Sequence, residues 1–84
     1  MENSTGKEII KEEIIPRDEQ KQIILGVIDG VRKEIFNNQL MERYFTRRAI
    51  VQPSFQNQLG NVQKGIKDSK LYLKFLEEVL KDEY

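Results

Sequence analysis

Phe55, Leu59, Val62, Ile66, Ser69, Leu73, Leu76 and Leu80 recur at alternating spacings of four and three residues, and Ser69 is the only polar member of the series. An α-helix turns once every 3.6 residues, so this spacing holds all eight on one side, whereas a strand would send neighbours to alternate faces. The pattern predicts a long amphipathic helix whose coiled-coil-like seam must be covered by another helix. Tyr72, Phe75 and Val79 add a second apolar stripe beside the C-terminal half of that seam, which makes the apolar face wide enough for two neighbours.

The covering helix is legible upstream. Pro16 followed by Asp18 and Glu19 reads as a helix start, because proline fits the first turn and carboxylates complement the positive end of the helix dipole. Ile24, Ile28, Val31 and Ile35 then share one face. Phe36, Leu40 and Tyr44 continue the series one position out of phase, with the shift at Asn37-Asn38, and a continuous helix with a kink there is expected over two separate ones. Gln52-Pro53 breaks the run, since proline pushes its predecessor out of the α region, and Ser54 is placed to cap the next helix. So short a connection predicts an antiparallel hairpin of residues 17–51 against 54–82.

The expected fold is therefore all-α: a helical hairpin domain over 17–84, or a small three-helix bundle if residues 1–16 add a short helix. In that segment Ile9, Ile10, Ile14 and Ile15 form an apolar edge after a capping-box-like Thr5-Gly6-Lys7-Glu8, and this edge is one candidate to cover the extra stripe. A second copy of the chain or a different protein are the others.

With 84 residues there is room for one domain only, and 38% apolar against 33% charged residues suits a folded, water-soluble chain. No apolar run approaches the roughly 18 residues of a membrane span, and the acidic start lacks a signal-like stretch, so a cytoplasmic protein without membrane contact is expected.

Catalytic chemistry finds few candidates. Histidine and cysteine are absent, which removes the usual metal ligands and the groups that titrate near neutral pH. The carboxylate pairs Glu12-Glu13, Glu77-Glu78 and Asp82-Glu83 are adjacent on helices and splay about 100° apart, as solvated faces do. Gly60 and Gly65 have the spacing of a phosphate-binding loop, but Ile66-Lys67 follows where Lys-Ser or Lys-Thr is needed, and no strand precedes it. They are read as points of close helix approach or flexibility, and Gly26 and Gly30 as close packing, with a dimer contact the lesser alternative. A binding protein is expected, with no enzymatic activity, cofactor or metal.

Charge carries the positive signal. Net charge is zero, yet residues 1–30 sum to −3, 31–70 to +5 and 71–84 to −2. No acidic residue lies between Arg43 and Lys67. A hairpin would gather Arg43, Arg47, Arg48, Lys64 and Lys67 at its turn, beside Tyr44, Phe45, Phe55, Gln52 and Gln56. Arginine forks suit phosphate, amides suit base edges, and aromatic rings stack on unpaired bases, so this tip is a candidate nucleic-acid contact. A basic face for an acidic protein accounts for the charges equally well, with the rings as core.

The run EIIKEEIIPRDEQKQIILGVIDG at 8–30 and the final KLYLKFLEEVLKDEY at 70–84 resemble, in style, the small helical accessory proteins that bind archaeal family-B DNA polymerase. That resemblance implies a non-catalytic subunit docking on a DNA polymerase and helping it hold DNA. No functional residue transfers with it.

The expected function is thus an accessory subunit of a nucleic-acid-processing complex, docking on a larger protein through Tyr72, Phe75 and Val79 with its basic tip toward DNA or RNA. Two alternatives stand beside it. One is a stand-alone DNA-binding regulator of phage or plasmid type, a homodimer through the heptad seam. The other is a purely structural helical adaptor.

Overall fold

A computed structural model describes residues 14–84, and they form two long helices with no strand among them. Helix α1 spans Arg17–Val51 and helix α2 spans Gln56–Glu83, joined through a single 3-10 turn at Pro53–Phe55. At 1.5 Å per residue the arms are about 52 and 42 Å long. The expected capping box at residues 5–8, the apolar edge of Ile9 and Ile10, and the short third helix expected there lie outside the described residues. Ile14 is 97% exposed and Ile15 38%.

The start of α1 follows the sequence closely. Pro16 is the residue that flanks the helix, at φ −58° and ψ 152°, and its carbonyl accepts the first helical bond from the Gln20 amide at 2.9 Å. Asp18 and Glu19 occupy the first turn. The start of α2 differs from expectation. Ser54 lies inside the 3-10 turn and makes no capping bond, because Pro53 already directs the chain into the turn and Phe55, in the αR region, flanks the helix.

The hairpin is zipped by its heptads. Ile28, Val31 and Ile35 of α1 and Leu76 of α2 are buried together, with Ile24, Leu73 and Leu80 packed against them. Ile66 and Ala49 are buried nearer the turn, and Phe55, Leu59, Val62 and Ser69 are half-buried. The seam of α2 is therefore consumed within one chain. A homodimer through that seam would have to open the hairpin first, and this argues against that part of the regulator reading.

In α1 the phase shift does not occur. The helix runs unbroken through Asn37-Asn38, and its inner side continues the four-three rhythm of Ile24 through Asn38, Glu42, Phe45 and Ala49. Phe36, Leu40 and Tyr44, read from sequence as continuing the apolar face, stand 55%, 42% and 56% exposed. The seam of α2 keeps its four-three rhythm from Phe55 to Leu80, so an α1 that packs along its whole length stays in phase with it. Half-buried Asn38 and Glu42 then face the partner helix.

The glycines also depart from expectation. A Cβ built at Gly26, Gly30, Gly60 or Gly65 meets nothing within 4 Å, so none of the four marks a close approach inside the hairpin.

Candidate functional surfaces

Giving the seam residues of each helix positions a and d fixes where every other side chain points, since e and b lie to one side of the seam and g and c to the other. In an antiparallel pair the two e rows meet, as do the two g rows. Arg32 and Glu77, both at e, form a 3.4 Å ion pair across the helices, which confirms the assignment.

On the e/b side lie Arg43 of α1 and Lys67, Lys70 and Lys74 of α2, with Arg47 and Lys64 at the adjoining outer edge. All six are exposed, and none makes an ion pair with a described residue. The acidic groups here are mostly engaged: Glu77 with Arg32, Asp29 with Lys33 at 3.0 Å, and Glu42 with Gln63 at 3.3 Å. A shallow concavity lined by Gln63, Ile66, Lys67, Lys70, Leu71 and Lys74 runs along α2, and a second is lined by Glu42, Arg43, Thr46 and Arg47 on α1. Leu71, at its floor edge, is 61% exposed. The positive charge thus forms a strip along one side of the hairpin.

That differs from the tip read out of the sequence. Lys67 stands 11 residues beyond Gln56, about 17 Å along the helix. Arg48 points to the opposite side and belongs to the turn itself: its guanidinium lies 5.2 Å over the Phe55 ring and donates a hydrogen bond to Gln52 Oε1. Its Nε is buried without a hydrogen-bond partner. Gln52 is engaged in the same bond and by its amide with the Arg48 carbonyl at 2.8 Å, whereas Gln56 is exposed. Phe45 and Phe55 stack on each other at 5.9 Å, half-buried, so they are core of the turn and are not open for base stacking. Tyr44 leans on Phe45 at 5.4 Å and stays exposed. Lys70 and Lys74 were missed by the sequence reading, which stopped at the last residue of the acid-free stretch; their spacing from Lys67 places all three on one strip.

The g/c side carries a stacked aromatic pair, while the e/b side also exposes Leu25, Phe36 and Ile50. Tyr72 and Phe75 are 48% and 56% exposed with rings stacked 6.4 Å apart, and Val79 beside them is half-buried. Helix α1 extends the patch with Ile23 and Val27, 45% and 37% exposed, neither of which stood out from the sequence. The charges around it are Glu34, Asp68 and Asp82, all exposed and none in an ion pair with a described residue, while Glu78 lies on the same outer row as Lys64 and Leu71. The charges of the described residues therefore divide between a basic side and an apolar side with an acidic rim.

The open end of the hairpin is closed by side chains. Arg17 lies 4.4 Å from the centre of the Tyr84 ring and donates to the Glu83 carbonyl, and the Tyr84 hydroxyl donates to Gln20 Oε1. Among the described residues no helix is long and apolar enough to cross a membrane. No protein-family model, no curated protein and no solved structure matches the chain.

Proposed function

We propose that this chain is a non-catalytic accessory subunit of a nucleic-acid-processing complex, with its basic side laid along a nucleic-acid backbone and its apolar side docked on a larger protein. A DNA polymerase or similar replication protein is the favoured partner, on the sequence resemblance alone. The observation that carries the reading is the separation of the two surfaces: Arg43, Arg47, Lys64, Lys67, Lys70 and Lys74 share one side, and Tyr72, Phe75 and Val79 share the other. A strip of cations that form no ion pair among the described residues attracts a polyanion without reading its sequence, by releasing condensed counterions. A rigid apolar face with two half-exposed rings is what a protein interface uses for anchoring.

The test is binding of the purified chain to labelled single- and double-stranded oligonucleotides across a salt series. Binding that weakens linearly in log–log form, with the slope reduced in Lys67→Gln/Lys70→Gln/Lys74→Gln, supports the reading. Lack of affinity for either nucleic acid at low salt refutes its nucleic-acid half and leaves a helical adaptor.

A further inference from the structure

The chemistry around the apolar side restricts which protein segment fits there. We infer that its occupant is a single amphipathic helix of the partner, carrying lysine or arginine on the flanks of its apolar stripe. This rests on the proposed function's reading that the g/c side takes a protein, and adds the shape and charge of what it takes.

The shape follows from the patch. Ile23 and Val27 on one arm and Tyr72, Phe75 and Val79 on the other border the line where the two helices meet, and extend for about 10 residues, or roughly 15 Å. That is the length of three helical turns, so a partner helix laid along this line presents residues at i, i+3 or i+4, and i+7. At the centre of the patch stands Gly30, whose missing Cβ leaves open space, so a third backbone approaches there without obstruction. Bundle helices carry apolar residues at a, d and one of e or g, and here Val27, Tyr72 and Val79 supply the g row, while the e row holds Arg32, Gln63, Lys70 and Glu77 with Leu25 as its apolar member.

The charge decides between occupants. Glu34, Asp68 and Asp82 rim the patch, and none makes an ion pair with a described residue. A second copy would bring these three against the same three, which like-charge repulsion opposes. Residues 1–13 carry Glu2, Glu8, Glu12 and Glu13 against Lys7 and Lys11, the same sign of mismatch. A helix with basic flanks meets opposite charge on both borders.

The experiment is selection from a displayed library of amphipathic helical peptides, with apolar stripe fixed and flanks randomised, on the immobilised full chain. The expected result is enrichment of Lys and Arg at the flanks. Selected peptides should lose at least tenfold in affinity against Phe75→Asp. They should also lose about tenfold against Glu34→Lys/Asp68→Lys, which in turn should gain affinity for the same peptides carrying Glu flanks. Circular dichroism checks that each variant stays helical; Phe75, Glu34 and Asp68 are exposed, so the hairpin does not depend on them. Selection of acidic or uncharged flanks, undiminished binding to Phe75→Asp, failure to enrich any helix, or self-association that Phe75→Asp abolishes would each overturn the inference. Oligonucleotide binding by Phe75→Asp is measured in parallel: its loss from the wild-type chain as well would count against the proposed function, and its retention isolates the failure to the helix-docking step.

Discussion

Gln63 Nε2 donates a hydrogen bond to Glu42 Oε2 at 3.3 Å, and Glu42 occupies an inner, half-buried position of α1 where the heptad rhythm elsewhere places Ile28, Val31 and Ile35. A polar group facing a coiled-coil seam lowers stability while holding register, because a shifted pairing would strand it. Replacing Glu42 by leucine removes a partly desolvated carboxylate and extends the apolar layer beside Val62. Gln63 is exposed and loses only a bond that water replaces. We expect Glu42→Leu to stabilise the hairpin by about 1 kcal/mol, read as a higher urea midpoint. A lower midpoint would show that the bond outweighs the burial.

Two leucines five residues apart on α2 should behave in opposite ways. Leu76 is 7% exposed within the core cluster, and Leu71 is 61% exposed on the basic side. Leu76→Ala leaves a cavity between the arms and is expected to cost about 2–4 kcal/mol, a large share of what a two-helix domain possesses. Leu71→Ala should change stability by less than about 0.5 kcal/mol. Thermal unfolding followed at 222 nm separates them, and equal losses would mean that the helix faces are assigned wrongly.

Neighbouring arginines likewise divide between structure and surface. Arg48 stacks on Phe55 and bonds Gln52, so Arg48→Ala should destabilise the turn by about 1 kcal/mol. Arg47 is exposed, and Arg47→Ala should leave unfolding unchanged while lowering the salt slope of oligonucleotide binding by up to about one. The reverse pattern would put Arg48 in the nucleic-acid surface.

Gly60 sits early in α2 with open space where its side chain would be. Alanine there restricts the unfolded chain and favours the helix, so Gly60→Ala should raise stability by roughly 0.5–1 kcal/mol. Destabilisation would indicate that the start of α2 needs the freedom of glycine.

Much of the hairpin was legible because its signals are local. Pro16 with its two acidic followers, the Pro53 break and the heptads of α2 each act within a few residues, and the antiparallel arrangement follows from a connection too short for any other. The Phe36, Leu40 and Tyr44 series was misread because a run of apolar residues at spacing four looks like a core face wherever it occurs. The alternative, a face containing Asn38 and Glu42, is invisible until the partner's register is known. Glycine pairs are ambiguous for the same reason: close packing needs a neighbour, and the sequence does not say where the neighbour is.

The sequence by itself determined two amphipathic helices, their direction relative to each other, and an uneven distribution of charge along the chain. Only the tertiary structure decided how that charge is distributed around it. Register between α1 and α2 sets which residues flank the seam on each side, and it is a property of two helices together. It brings Arg43 of α1 to the same side as Lys67, Lys70 and Lys74, turns Arg48 into the turn, and joins Ile23 and Val27 to Tyr72, Phe75 and Val79. A basic tip in the linear reading thereby becomes a basic side, because a helix spreads along its length what the sequence groups into one stretch.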